Sequence, residues 1–229
     1  MKSRRLKSIA ALTTFLVGIG GACSSAQASF VIDASVGGAP TGATYVNFDA
    51  LPLGATSGTS GGLGVSFSSD GQVVNGAASG VYAAPYISGG NGVPFGDPTV
   101  SGVDTTNYLT TGVGTVTLMF PASEMYLGLL WGSVDTYNHL EFFLGANSVG
   151  MVNGADVFAA AAGDQGINGT YYANIISSLP FDRVVASSSS YAFEFDNVAY
   201  NVPEPISLGL LGCGILGLGV VRRRKAAKA

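Results

Sequence analysis

Between residues 29 and 201, short runs of β-branched and aromatic residues alternate with clusters of Gly, Asn, Asp and Ser. Runs of this length, bounded by turn-forming residues, predict β-strands. Nine strands are predicted, over residues 30–36, 44–49, 63–68, 113–120, 125–131, 139–144, 171–176, 183–187 and 191–200. Many short antiparallel strands in one chain predict an all-β fold, here a jelly-roll-like β-sandwich.

Three stretches depart from this pattern. Residues 54–64 and 88–97 are rich in Gly with Ser or Pro, so they are predicted to be loops between strands. Residues 155–162 end in four alanines, a composition that predicts a turn or two of helix within a connection.

The last predicted strand has a two-residue period. Tyr191, Phe193 and Phe195 are aromatic, whereas Glu194 and Asp196 at the alternate positions are acidic. Successive side chains of a strand point to opposite faces of its sheet. The pattern therefore predicts a strand with its aromatic face in the core and its acidic face in water.

The segment over residues 126–138 combines a strand pattern with a turn. Leu127, Leu129 and Trp131 alternate, which predicts that they point into the core. Residues 132–138 have the Gly, Ser, Asp and Asn content of a hairpin turn. Trp131 is accordingly interpreted as a core residue rather than as a ligand contact.

The front of the chain is typical of an export signal. A basic start is followed by an apolar run over residues 9–21 and by the small residues Ala26 and Ala28, which frame a cleavage site. Residues 1–28 are therefore predicted to be a signal peptide. Lipoprotein processing at Cys23 is an alternative interpretation of the same region.

The C-terminal end has three parts in sequence. Four residues, Val202, Pro203, Glu204 and Pro205, are followed by an uncharged apolar run over residues 206–221 and by a basic cluster of Arg222, Arg223, Arg224 and Lys225. As a helix the run would be about 24 Å long, against a hydrocarbon core of about 30 Å, so it can span a membrane only marginally. The basic cluster would stay in the cytoplasm and leave the body outside.

Together these three parts resemble the PEP-CTERM sorting signal of bacteria that make exopolysaccharide. The resemblance implies that residues 202–229 are an address label, processed at the motif by an exosortase, a membrane transpeptidase-like enzyme. The apolar helix would then hold the protein in the inner membrane only until processing. We expect the processed protein at the cell surface or outside the cell.

Two body segments resemble a second pattern. Residues 126–138 are similar to a "GLLWGSVD-YN" run, and residues 193–197 to an "FEFDN" closing strand, of one family of exosortase-dependent surface proteins. This resemblance implies a lectin-like β-sandwich over residues 29–201. It implies no particular molecular activity.

The net charge of the body limits the classes of partner that it can bind. Arg183 is its only basic residue, against thirteen Asp and Glu, so residues 29–201 carry a net charge of −12. Such a body repels nucleic acid and favours divalent cations. Calcium is the candidate cofactor, with Asp49, Asp196 and Asn197 as hard-oxygen ligands near the two ends of the body. Alternatively, Asp196 and Asn197 only bond the local backbone.

Catalytic motifs are weak. Residues 58–62 match G-x-S-x-G and residues 212–217 match G-x-G-x-x-G, but neither pattern has the strand and helix that its chemistry requires. His139, the only histidine, lies too close in sequence to Ser133 and Asp135 for the convergent geometry of a triad. The body has one histidine and no cysteine, so it lacks the ligands that a zinc site usually requires.

The sequence therefore predicts a non-enzymatic exported protein of the cell surface or exopolysaccharide matrix. Its expected partners are an exosortase, the membrane before processing, and extracellular polysaccharide, with no nucleic acid. Two alternatives stay open. One is a carbohydrate-binding module that contacts sugar through exposed aromatics, namely Tyr82, Tyr86, Tyr137 and Tyr172. The other is a glycan hydrolase, which needs two of the thirteen carboxylates to form a pair.

Overall fold

The structure, a computed structural model, describes residues 27–35 and 38–201. Ala26 with most of the predicted signal peptide, and the whole predicted sorting signal over residues 202–229, lie outside the described residues. Within the described ranges, no helix is long and apolar enough to cross a membrane.

Strands are the main regular element of the described chain and include about half of its residues. These are β1 (Phe30–Ser35), β2 (Thr44–Val46), β3 (Ser57–Ser60), β4 (Leu63–Ser68), β5 (Gln72–Val74), β6 (Tyr86–Ile87), β7 (Gly102–Val103), β8 (Tyr108–Thr111), β9 (Thr115–Gly132), β10 (Asn138–Leu144), β11 (Asn147–Asn153), β12 (Tyr171–Ser188) and β13 (Phe193–Tyr200). A single helical turn, α1 (Gly154–Val157), follows β11, and a 3-10 turn (Val93–Phe95) lies between β6 and β7.

Two antiparallel layers share the long strands β9 and β12. Residues 115–119 of β9 and 183–188 of β12 lie in the first layer, ordered β11-β10-β12-β9-β4-β3. Residues 126–132 of β9 and 171–176 of β12 lie in the second layer, ordered β1-β12-β9-β13-β8-β5. There β2 pairs with the last residues of β13. The predicted antiparallel all-β fold is confirmed, and the layers fit a β-sandwich.

Four of the predicted strands are in fact two. The predictions over residues 113–120 and 125–131 are one strand, β9, and those over 171–176 and 183–187 are one strand, β12. Their interruptions contain Pro121 and Pro180, residues that normally end a strand. Both prolines lie where β9 and β12 pass between the layers and their register shifts, so no paired N–H is needed there.

Several strands were not predicted from the sequence pattern. The clearest is β3, which lies in the predicted loop over residues 54–64, pairs with β4 and reads Ser-Gly-Thr-Ser without an apolar period. Gly61 and Gly62 make the turn between these strands with φ values of +53° and +87°, which favour glycine. Strands β5, β8 and β11 were likewise not predicted, because pairing rather than local pattern defines them.

Two connections also differ from the predictions. The predicted helix over residues 155–162 is only the turn α1, because Phe158 is extended and packs on Tyr171 with ring centroids 4.9 Å apart. The predicted hairpin over residues 132–138 is wrong, because β12 lies between β9 and β10 in the first layer. Residues 132–138 instead connect the second layer, where β9 ends, to the first layer, where β10 begins.

The main core lies between the two layers. Leu127, Leu129 and Trp131 are completely buried in it, as their alternation predicts. The Trp131 ring stacks on Phe193, with centroids 4.5 Å apart and an interplanar angle of 22°. Trp131 is therefore a core residue.

A second, smaller apolar cluster lies on the outer face of the second layer. Residues 75–107, called the covering segment below, fold over this face and bury Ile87 and Phe95 against Leu130 and Tyr172. The ring centroids of Phe95 and Tyr172 are 5.9 Å apart. Tyr172 is completely buried here, so the prediction that it is an exposed sugar contact is wrong.

Candidate functional site

The acidic face of β13 lies beneath the covering segment. Glu194 is 2% exposed and Asp196 is fully buried, so the prediction that this face is in water is wrong. The backbone N–H of Ala83, in the covering segment, donates to Oε1 of Glu194 over 2.8 Å. The covering segment, which is distant in the sequence, therefore buries a face of β13 that the local pattern predicts to be exposed.

A β-bulge interrupts β13 next to Asp196. Asp196 pairs with Leu130 and Ala199 with Gly128, so three steps along β13 face two steps along β9. The additional residue is Asn197, whose φ of 51° is a left-handed conformation that Asn tolerates better than most residues. The bulge places an extra amide side chain directly beside the buried carboxylate.

Four polar side chains, called the buried polar cluster below, come from this bulge and from the covering segment. They are Asp97, Asp104, Asp196 and Asn197, and none is more than 4% exposed. With the carboxyl groups ionised, no hydrogen-bond partner is found across the described residues for Oδ2 of Asp97 and Asp104, for either oxygen of Asp196, or for either amide atom of Asn197. When protonated, Asp104 is placed to share hydrogen bonds with Asp97 and with Asp196. Buried polar atoms without partners are uncommon and costly, so the cluster is short of a positive or donating group.

Local turns orient the two aspartates of the covering segment. Oδ1 of Asp97 accepts the Thr99 N–H over 2.7 Å. Oδ1 of Asp104 accepts the Thr106 N–H over 2.8 Å and the Thr106 hydroxyl over 2.7 Å. Each turn holds one oxygen and leaves Oδ2 for the cluster. Neither aspartate was predicted to be a ligand, because an Asp two residues before a Thr indicates a turn rather than a ligand.

Like charges in the cluster disfavour one another. Burial raises the pKa of Asp196 well above its usual value, and the neighbouring Asp104 carboxyl raises it further. Burial also raises the pKa of Asp104 to about 6; the hydrogen bonds from Thr106 oppose this rise, and Asp97 adds to it. Three carboxyl groups therefore form a row in which each makes the next harder to ionise.

The predicted calcium ligands have different surroundings. Asp196 and Asn197 lie together in the cluster, whereas Asp49 is exposed and its oxygens accept hydrogen bonds from Asn107 N–H (3.1 Å) and Asn47 Nδ2 (2.9 Å). Asp49 is still near enough to raise the pKa of Asp196. Within residues 27–35 and 38–201, no three His, Cys, Asp or Glu side chains are placed to hold a metal on their own. A cation in the cluster would also need amide, hydroxyl or backbone oxygens.

A cleft of about 200 Å³ opens at the start of β13. Its polar and aromatic lining consists of Tyr82, Ser133, Asp135, Tyr137, Gln165, Tyr191 and Glu194. Burial raises the pKa of Glu194 to about 7, although hydrogen bonds from the Ser133 hydroxyl and the Ala83 N–H oppose the rise. Both oxygens of this carboxyl are thus engaged by the protein itself.

The three residues from which a triad can be drawn have separate partners. Ser133 donates to Glu194, whereas Nδ1 of His139 lies 2.7 Å from Oδ1 of Asn153. Asp135 lines the cleft beside Ser133. The geometry agrees with the sequence argument that neighbours on one turn and strand do not converge as a triad does.

Comparison with protein families identifies the C-terminal signal. Residues 201–225 match the family model of the PEP-CTERM protein-sorting motif. The resemblance carried by Val202, Pro203, Glu204 and Pro205 is confirmed: residues 201–225 carry a PEP-CTERM sorting motif, which implies exosortase-dependent export to the cell surface through the membrane. No curated protein and no solved structure matches the chain.

Proposed function

We propose that this chain is a non-catalytic protein of the cell surface or exopolysaccharide matrix, whose lectin-like β-sandwich is the part that acts outside the cell. The sorting motif over residues 201–225 is the observation that carries this proposal. In this function the apolar run over residues 206–221 anchors the chain only transiently. An exosortase then processes it at residues 202–205.

The ends of the sandwich support processing that leaves the fold intact. The last strand, β13, ends at Tyr200, and the N–H of Asn201 donates to Oε2 of Glu124 over 3.0 Å. The first strand, β1, begins at Phe30, just after the predicted cleavage that follows Ala28. Cleavage at either predicted position removes no strand of either layer.

Mass spectrometry of the released protein tests this function. In a host with an exosortase, we expect a C-terminus within residues 202–205, and in a host without it, full-length chain in the membrane fraction. Replacing Pro203 and Pro205 by Ala should block release, because the prolines keep the recognition segment extended. Replacing Arg222, Arg223 and Arg224 by Lys keeps the charge and is the matched control. Recovering only chain that ends at Ala229 from the competent host would contradict the proposal.

A carbohydrate-binding role is the second candidate, and the cleft favours it. Tyr82, Tyr137 and Tyr191 line it together with carboxyl groups, and Tyr191 is 48% exposed. Aromatic faces combined with a few polar groups are typical of small-ligand sites. We expect Tyr191→Ala to reduce retention on the polysaccharide of the host, with Tyr86→Ala, outside the cleft lining, as control. Equal retention of both variants would exclude the cleft as the sugar site.

The same cleft provides a test of the hydrolase alternative, because Asp135 and Glu194 both line it. A glycosidase needs one of two carboxyl groups to act as a free acid. Since both oxygens of Glu194 are hydrogen bonded, we expect no release of reducing ends from polysaccharide. Release that is lost in both Asp135→Asn and Glu194→Gln would instead establish hydrolysis.

A further inference from the structure

Among the described residues, no cationic side chain lies at the buried polar cluster to balance its charge. Arg183 is the only Lys or Arg among residues 27–201. Its guanidinium lies 4.1 Å from the ring centroid of Phe143 and donates to the backbone oxygen of Gly145. Those residues belong to β10 and the β10–β11 turn in the first layer, whereas the cluster lies on the outer face of the second. The carboxyl groups therefore need protons or an external cation.

Apart from the amide nitrogen of Asn197, the available atoms are hard oxygen donors from two separate parts of the chain. Asp97 and Asp104 come from the covering segment, and Asp196 and Asn197 come from the bulge of β13. Such a set suits calcium, which takes six to eight oxygen ligands in flexible geometry.

We propose that the buried polar cluster is a calcium site, in which Asp104, Asp196 and Asn197 supply side-chain oxygens and Asp97 lies beside them. Backbone oxygens complete the coordination shell in this proposal, because no three His, Cys, Asp or Glu side chains of the described chain are placed to hold a metal on their own. A transition metal would prefer nitrogen or sulfur ligands, and magnesium would retain several waters that a closed cluster does not accommodate.

The site gives the bulge a structural purpose. Without the inserted Asn197, β13 would present only Asp196 to the covering segment at this point. With it, Asp196 and Asn197 are adjacent buried residues of one strand, and Asp196 lies beside Asp104 of a loop about ninety residues earlier in the sequence. A bound calcium ion would fasten the covering segment onto the sandwich and stabilise the body outside the cell, where calcium-binding modules of modest affinity operate.

Calorimetry and thermal melting of the full-length chain in mild detergent test the site. After removal of calcium with a chelator, titration with calcium chloride should give saturable binding. At calcium a hundredfold above its Kd, we expect a rise in Tm of about 5–10 °C. Terbium provides an independent readout, because Tyr172, whose hydroxyl donates to the Asn197 carbonyl over 3.0 Å, can sensitise its luminescence.

Matched variants locate the binding. Asp196→Asn and Asp104→Asn should abolish the rise in Tm and the terbium signal. In chelator Asp196→Asn should melt no lower than the wild type, because it removes one of three mutually unfavourable buried carboxyl groups. Asp33→Asn, at an exposed position on β1, is the control and should keep the full response. If one cluster variant does not fold, the other decides. A wild type without saturable binding, or equal responses in the cluster variants and the control, would overturn the proposal.

Discussion

The two faces of β13 are equally hidden from solvent but differ in what hides them. On the inner face, Phe193 and Phe195 pack in the core with Trp131. On the outer face, Glu194 and Asp196 are almost as completely buried, but their neighbours are loop backbone, hydroxyl groups and other carboxyl groups. One strand thus separates an apolar core from a polar interior.

The two faces differ in how specific their contacts must be if burial is to stabilise the fold. Apolar burial is non-directional and stabilises any close packing of the aromatic rings. A buried carboxylate stabilises the fold only if particular donors or cations meet it, and otherwise it lowers the free energy of unfolding. We therefore expect changes on the inner face to act independently of solution conditions, and changes on the outer face to depend on them.

The largest effect is expected on the inner face. Phe193 is completely buried and stacked on Trp131, so Phe193→Ala should lower the free energy of unfolding by about 3–5 kcal/mol. Denaturant unfolding should give the same loss with calcium and with chelator. Val113→Ala, at a position 63% exposed, is the control and should change stability by less than about 0.5 kcal/mol. A loss under about 1 kcal/mol for Phe193→Ala would contradict the core assignment.

A smaller effect is expected where the outer face meets the cleft. Ser133→Ala removes the hydroxyl that donates to Oε2 of Glu194 and leaves that buried oxygen without this partner. We expect a loss of about 1–3 kcal/mol in denaturant unfolding. Combining it with Glu194→Gln should cost less than the sum of the two single changes, because the residues share one interaction. Strict additivity would show that the two side chains do not interact.

A weaker test lies in the covering segment. Thr106→Val keeps the shape of the side chain and the N–H bond to Asp104 but removes the hydroxyl bond of 2.7 Å. The expected loss is about 0.5–1.5 kcal/mol, measured by denaturant unfolding in chelator. Thr99→Val is the matched control, since Asp97 accepts only the backbone N–H of that threonine. Equal losses in the two variants would mean that the hydroxyl bond contributes nothing.

The smallest effect concerns a carboxyl group away from the cluster. Burial raises the pKa of Glu124, while the N–H of Asn201 opposes the rise. Its contribution to stability is therefore fully present below the unfolded-state pKa of 4.5 and is lost as the pH rises through the folded-state pKa. Glu124→Gln should flatten this decline in a series of melting curves from pH 4 upward. Parallel curves for variant and wild type would refute the expected shift.

Much of the fold was accessible from local patterns. Alternation identified Leu127, Leu129 and Trp131 as core residues, and runs of β-branched and aromatic residues located most strands of both layers. The pattern did not reveal that β9 and β12 continue through Pro121 and Pro180, because only the crossing between layers makes their missing N–H groups harmless.

The candidate site was accessible only in part. Asp196 and Asn197 were predicted as calcium ligands from the charge and position of their strand, and they lie in the buried polar cluster. Asp97 and Asp104 could not be predicted, because nothing in a Gly- and Pro-rich loop indicates which part of the sandwich it will cover. Their local sequences predict turns, and the structure has a turn at each of the two aspartates.

By itself the sequence determined the all-β class and the C-terminal sorting motif, because both depend on residues that are neighbours in the chain. Only the tertiary structure decided which face of β13 meets water. The two-residue period separates aromatic from acidic side chains but does not say what lies above each face. Residues about ninety to 111 positions earlier cover the acidic one, and burial then changes the ionisation, the partners and the chemistry of Glu194 and Asp196.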